Sequence, residues 1–291
     1  MKNPFHNPAV YDLVNLAIRE DCPYGDLTTN LALKDELKDK TYSAFGVAKE
    51  PGLFSGGGII QVIKECLRSD FRVERLSAEG TSFEKGDVLF ELHGPASELL
   101  QAERLILNFC SHLSGIATLT ASYVEELKDT NCVIVDTRKT RPGFRHLEKL
   151  AVLAGGALNH RMNLSESILL KDNHFLAAKE LFDFKRVLER VVEKRSAHQF
   201  LEVEVQTIEE FSIALDQKVN MIMLDNFSKD EIEKAIELKR RSHREDLLVE
   251  VSGGIRKENI RELASLGVDR ISVGGIIHQA RWLDFGLDFK L

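Results

Sequence analysis

The sequence predicts an α/β protein: a small α+β sandwich followed by a parallel α/β domain. Three observations carry this. The second half alternates short apolar runs with helical segments; the first half mixes strand-like runs with one helix; and six apolar runs in succession end in polar, chemistry-bearing residues.

The chain opens with an amphipathic helix over roughly Pro8 to Glu20, in which Val10, Leu13, Val14, Ala17 and Ile18 recur at helical spacing. A turn-rich segment, DCPYGDLTTN, follows. Strand-like runs come next at Tyr42–Lys49, Phe71–Leu76 and Val88–Leu92, with a helix near Ile59–Arg68. Between the last two strands, EGTSFEKGD places Gly80 and Gly86 where turns need conformations that other residues resist. From Ser97 to about Lys128 the pattern is helical, with Leu99, Leu100, Ile106, Phe109, Leu113, Ile116 and Leu119 on one stripe. An interruption is expected near Ser114-Gly115, where the domain boundary is placed.

Beyond it lie VIVD-TRK (133–139), ILLK-DNH (168–174), LEVEV-Q (201–206), MIML-DN (221–226), LVEV-SGG (248–254) and ISV-GG (271–275). Helices are expected at Arg145–Gly156, Glu180–Lys194, Ile208–Asp216, Lys229–Arg241 and Asn259–Leu266. In parallel α/β folds reactive groups gather at the carboxyl ends of the strands. A closed or nearly closed barrel would turn all six polar ends toward one mouth.

Composition is that of a soluble globular protein, 43% hydrophobic and 29% charged, with no leader-like N-terminal stretch. Cys22, Cys66, Cys110 and Cys132 form no CxxC pair, which points to reduced thiols in the cytoplasm instead of a zinc site or disulfide framework. The charge distribution is uneven. Between Asp136 and His174 seven Arg and Lys residues stand against four acids, a local +3 in a chain of net −7. An otherwise acidic surface would repel a nucleic acid, so the island suits a small, highly charged anion.

Arg138 and Lys139 leave a buried run directly; Arg can fork onto a carboxylate or phosphate, and Lys acts as a point charge. Glu148 and Lys149 read as scaffold. His160 and Arg161 follow a tight turn, and Lys171 ends an apolar run with its charge at the mouth. Glu204 and Asp225 end two successive strands and could bind Mg2+ or stabilise a developing positive charge. Glu202 shares a strand face with Glu204, so alternation alone leaves the choice between them open. The carboxylate pair would also suit glycoside hydrolysis, but the crowd of cations disfavours a neutral sugar. Ser252-Gly253-Gly254 and Gly274-Gly275 can expose backbone N–H groups to a phosphate.

The segments TRKTRPGFRHLEKLAV, NHRMNLSESILLKDNH, EVEV, MLDNF, VSGGI and SVGGIIH, in this order and spacing, resemble the quinolinate phosphoribosyltransferase (carboxylating nicotinate-nucleotide pyrophosphorylase) family. EDCPYGDLTT and QAERLILNFCSHLSGIAT extend the resemblance over nearly the whole chain. It implies an incomplete (open) α/β barrel over residues 115–291. A smaller α+β sandwich would span 1–114, with the last ~10 residues packing back on it. It implies the reaction of quinolinate with phosphoribosyl pyrophosphate to nicotinate mononucleotide, pyrophosphate and CO2, with Mg2+. A homodimer with shared active sites, open to higher homo-oligomers, is implied too, with no nucleic acid or membrane partner. On the family's pattern Arg104 would reach the partner's site, and Arg138, His160, Arg161 and Lys171 would face quinolinate. Lys139, Glu204 and Asp225 would serve phosphoribosyl pyrophosphate and its metal, a spacing that selects Glu204 over Glu202. Ser252, Gly253, Gly254, Gly274 and His278 would surround the phosphates. The chain departs from the family's usual pattern at Gly155-Gly156-Ala157 and at SVGGIIHQ. Two rival readings are an enzyme for a pyridine monoacid such as nicotinate, and a non-catalytic anion-binding relative linked to oxyanion transport.

Overall fold

The computed structural model describes residues 4–37 and 40–290. Helix α1 (Pro8–Asp21) starts where the Asn7 side chain accepts from Ala9 N, with Pro8 at the first position, where a missing N–H costs nothing. The path continues through a short π turn, α2 (Lys34–Leu37), β1 (Thr41–Ala48), β2 (Gly52–Leu53), α3 (Ile59–Leu67), β3 (Arg72–Leu76), β4 (Ser82–Phe83), β5 (Val88–Pro95) and α4 (Ala96–Val124). Then come β6 (Val133–Val135), α5 (Arg145–Ala154), β7 (Ile168–Leu170), α6 (Asp172–Ala178), α7 (Phe184–Lys194), β8 (Leu201–Val205) and α8 (Ile208–Leu215). The chain ends with β9 (Met221–Asp225), α9 (Lys229–Arg241), β10 (Leu248–Ser252), α10 (Lys257–Ser265), β11 (Arg270–Ser272), α11 (Gly275–His278) and β12 (Phe285–Lys290).

These elements form two compact units that are not consecutive in sequence. The first comprises the chain up to Ser122, Lys139–Ala157 and Gly275 onward; the second comprises Tyr123–Arg138 and Leu158–Gly274. The expected boundary at 114/115 falls inside α4.

In the first unit an antiparallel sheet runs in the order β12-β1-β5-β3, so the end of the chain is hydrogen-bonded to its first strand, Val47 opposite Gly286. Phe54, Ile59, Ile60, Ile63, Phe71, Phe90 and Leu92 are fully buried and form much of its core. Helix α4 runs unbroken through Ser114-Gly115, against the expected interruption. Gly115 is there for packing: a Cβ at this position would lie 1.8 Å from the Arg281 carbonyl oxygen. By length and composition this helix could cross a membrane, yet 72% of its most apolar window is buried within the protein, as in a core helix.

The second unit holds a six-stranded parallel sheet in the order β6-β11-β10-β9-β8-β7. From β7 to β11 each strand lies beside its predecessor, and β6 adjoins β11. A doubly wound sheet would reverse direction at a switch point; this succession is that of a barrel wound one way and left open between β6 and β7. Leu158 lies along β6 in a parallel bridge with Val135. All five residues of β8 are buried, as both faces of a parallel sheet must be. The helices start at side-chain caps: Asp183 for α7, Thr207 for α8, and a Ser228–Glu231 capping box for α9. The Asp183 cap moves the start of α7 inward from the expected Glu180, after a separate short helix α6.

Substituting Gly115→Ala gains helix propensity of about 1 kcal/mol. The overlap with Arg281 outweighs it, so urea unfolding should show a net loss of about 1–3 kcal/mol. A stabilised variant would contradict the close approach.

Candidate active site

In a parallel ladder, partner residues point to the same side of the sheet. The register pairs Glu202 with Met221, Glu204 with Met223, Met223 with Glu250, and Asp225 with Ser252. Glu202, Glu204, Asp225, Glu250 and Ser252 therefore share one face. Val203, Val205, Ile222, Leu224, Val249 and Val251 share the other, and all six are buried. Glu202, Glu204 and Glu250 are themselves 2%, 7% and 0% exposed. Carboxylates so withdrawn from water need cations, hydrogen bonds or protons.

Two segments supply them. Lys171, directly after β7, is in hydrogen-bonded ion-pair contact with Glu204 through Nζ and Oε2. The second segment, Leu158–Arg161, is tied to β6: Leu158 N donates to Ile134 O at 2.9 Å, Asp136 N to Leu158 O at 3.1 Å, and His160 N to the buried Asp136 Oδ1 at 2.8 Å. The His160 ring then lies with Nε2 3.1 Å from Glu202 Oε2 and 3.8 Å from Glu250 Oε1. Its Nδ1 accepts the Arg161 backbone N–H at 2.8 Å.

Arg161 Nη1 donates to Ser167 O at 2.9 Å, while its Nε is buried with no hydrogen-bond partner among the described residues. Burial and then the neighbouring Arg138 charge lower the Arg161 pKa, opposed by Glu202. Like charges near enough to lower a guanidinium pKa favour an anion beside them. The Glu250 carboxyl is pushed up to about 7, first by burial and then by the Glu202 charge.

Among the described residues, one group of three possible metal ligands lies within 4.8 Å: His160, Glu202 and Glu250. Its nitrogen is a poor ligand. Because Nδ1 accepts a hydrogen bond, the ring proton belongs on Nε2, the atom facing the two carboxyls. Glu204 and Asp225 lie outside that group; as carboxylates on one face of adjacent strands, they have the oxygen chemistry that Mg2+ takes.

Asn226 was not anticipated from the sequence. Its Nδ2 donates to Asp225 Oδ2 at 2.9 Å, and its N to Ser252 O at 2.9 Å. A Cβ on Gly253 would lie 2.1 Å from Asn226 Oδ1, which with a φ of +90° demands glycine. Asp225, Ser252 and Gly253 thus stand round one asparagine, and Gly254, at φ +63°, has open space around it. The DN pair after β9 was the available signal.

Arg104, Lys139 and His278 belong to the first unit, while Gly274 closes the second. Arg104 is 62% exposed on α4, with Glu103 4.0 Å away. His278 is exposed at the end of α11. The loop after Lys139 is fixed by Glu148, whose Oε2 accepts Arg141 N at 3.0 Å and whose Oε1 lies 2.9 Å from His112 Nε2. Glu148 and Lys149 are fully buried, consistent with scaffold roles.

The family profile described as "Quinolinate phosphoribosyl transferase, C-terminal domain" matches residues 116–288, and its N-terminal counterpart matches 26–114. The chain belongs to the quinolinate phosphoribosyltransferase family. It is 39% identical over 268 residues to the probable nicotinate-nucleotide pyrophosphorylase (carboxylating) of Archaeoglobus fulgidus, covering 91% of this chain and 98% of that one. The nicotinate-nucleotide pyrophosphorylase (carboxylating) of Mycobacterium leprae is 35% identical, with 96% and 97% covered. Among solved structures, the nicotinate-nucleotide pyrophosphorylase of Francisella tularensis superposes with a TM-score of 0.84 at 33% identity, covering 97% of this chain and 96% of that one. The family assignment agrees with the open six-stranded barrel and the smaller N-terminal sandwich.

A carboxyl whose folded pKa is raised binds its proton more tightly when folded. For Glu250 the resulting stability is complete below the ordinary value of 4.5 and is lost as pH rises to about 7. Glu250→Gln should therefore gain on the native protein by about 1–3 kcal/mol between pH 5 and pH 8, measured by urea unfolding. A difference independent of pH would contradict the protonated carboxyl.

Proposed function

We propose that this protein transfers the phosphoribosyl group of phosphoribosyl pyrophosphate to quinolinate, releasing pyrophosphate and CO2 and forming nicotinate mononucleotide for NAD synthesis. The observation that carries the reading is the buried Arg161 guanidinium, its Nε without a hydrogen-bond partner among the described residues and the like charge of Arg138 beside it, in a chain of this family. Curated relatives along nearly the full length are described as enzymes of this reaction, and nothing in them favours a non-catalytic binder.

The chemistry follows from the two charges of quinolinate. The pyridine nitrogen attacks C1′ as the bond to pyrophosphate breaks, so positive charge develops on the ribose and then on the ring nitrogen. The positively charged ring nitrogen stabilises the electron pair left on C2 when the adjacent carboxylate departs as CO2, and that pair then takes up a proton. No nucleophilic side chain is needed. In this reading Arg161 and Arg138 grip the quinolinate carboxylates through forked hydrogen bonds. Lys171 stands at the same mouth, its ammonium shared with Glu204. In the same reading Glu204 and Asp225 stabilise the cationic ribose, and they would hold Mg2+. When bound, Mg2+ neutralises the leaving pyrophosphate. Lys139 serves the same co-substrate, with Ser252, Gly253, Gly254, Gly274 and His278 about its phosphates.

Arg104, exposed on α4, would complete the site of a second subunit in a homodimer. The four cysteines are free thiols, suited to the reducing cytoplasm.

Product analysis after incubation with quinolinate, phosphoribosyl pyrophosphate and Mg2+ tests the reaction. Nicotinate mononucleotide and CO2 in equal amounts are expected; quinolinate binding without product would overturn it. Arg161→Ala should raise the KM for quinolinate by about 100-fold and that for phosphoribosyl pyrophosphate by far less. Equal losses would break the assignment. Arg104→Ala and Lys139→Ala should each be nearly inactive, yet recover part of the activity when mixed. No recovery after demonstrated subunit exchange would count against the shared site.

A further inference from the structure

We propose that His160 and Glu202 are positioning residues: the imidazole, anchored by Glu202 on the inner face of the sheet, fixes Arg161 and does not itself touch the substrate. This rests on the reading that Arg161 grips a quinolinate carboxylate.

The hydrogen bonds assign the ring. A nitrogen that accepts cannot carry a proton, and Nδ1 accepts the Arg161 backbone N–H at 2.8 Å. The one ring proton of the neutral imidazole then sits on Nε2, 3.1 Å from Glu202 Oε2. Neither nitrogen offers an N–H to a ligand at the mouth. The ring is 9% exposed, so it is also poorly placed to meet a solvated dianion. Its backbone N–H is held by Asp136, itself fully buried. His160 is thus fixed at three points, by Asp136, by Glu202 and by the Arg161 backbone.

The residue so held is the one that needs holding. Arg161 stands beside the like charge of Arg138, which repels it. Ser167 O fixes Nη1, and the His160 ring fixes the backbone N–H. The buried Nε is left for an anion. A fork held at both ends loses less entropy on gripping a carboxylate than a free arginine does. Glu202 and Glu204, which alternation could not separate, therefore have different tasks. Glu204 pairs with Lys171, and Glu202 holds the imidazole that orients Arg161.

The test combines ring-nitrogen NMR on the native enzyme with steady-state kinetics. In protein labelled with 15N-histidine, the His160 signals are assigned by their loss in His160→Asn. Nε2 should be protonated and Nδ1 bare at neutral pH, unchanged when quinolinate is added. A proton on Nδ1, before or after quinolinate, would overturn the proposal whatever the enzyme's turnover.

Glu202→Leu should raise the KM for quinolinate about 10- to 100-fold and leave that for phosphoribosyl pyrophosphate within about 3-fold. Glu202→Gln, which keeps an acceptor for Nε2–H, should restore the quinolinate KM to within about 3-fold of native. His160→Asn, whose Oδ1 can still accept the Arg161 N–H, should be milder than His160→Ala. Glu202 variants with an unmoved quinolinate KM, or His160→Asn as damaged as His160→Ala, would show direct contact instead. Should Glu202→Leu not fold, the native ring signals still decide. A native enzyme inert toward quinolinate would sink the functional reading, while the tautomer would stand or fall by itself.

Discussion

Burying charge is the constraint on which the second unit depends. Its parallel sheet carries Glu202, Glu204, Asp225 and Glu250 on one face, three of them almost removed from water. Such groups cannot be left bare, because an unpaired buried carboxylate costs several kcal/mol. Each therefore has an answer near at hand. Glu204 has Lys171, Glu202 has the His160 ring, Glu250 keeps its proton to about neutral pH, and Asp225 accepts from Asn226. The cationic stretch between Asp136 and His174 answers the acid face in part. The Arg161 Nε is left without a hydrogen-bond partner among the described residues, beside the like charge of Arg138, and the proposed function puts the anionic substrate there.

The topology makes this economical. A sheet wound one way and left open between β6 and β7 brings the carboxyl ends of consecutive strands to one side, so successive loops can each contribute one group. The segment Leu158–Arg161, hydrogen-bonded to β6, carries the imidazole and guanidinium, and the residue after β7 carries the ammonium. The helices between strands start at Asp183, Thr207 and Ser228 caps, and α8 packs against β8 and β9. Carboxylates and apolar core thus occupy opposite faces of the same strands.

Much of this was legible in the sequence. The six apolar runs of the second half are the six strands, and the expected helix Lys229–Arg241 matches α9, because capping and periodicity agree there. The interruption expected at Ser114-Gly115 is absent, since a glycine needed for close approach to Arg281 carries the same letter as a helix breaker. The π turn at Thr29–Leu33 and the pairing of β12 with β1 lacked a local signal; the pairing joins residues more than two hundred apart. Within the site, residue types were readable and partners were not. Alternation put Glu202 and Glu204 on one face, but only tertiary geometry gives one an imidazole and the other an ammonium. Nor could sequence show that both nitrogens of His160 are engaged within the protein.

The central claim is that the two arginines Arg138 and Arg161, beside a buried acid face, select a dianionic pyridine acid. Calorimetric titration of the native protein with quinolinate and, in parallel, with nicotinate tests it most directly. Quinolinate should bind at least about 10-fold more tightly, since a monoacid offers one carboxylate to two guanidinium groups. Equal affinity for the two acids would contradict the account, because the Arg138–Arg161 couple would then have no second carboxylate to answer.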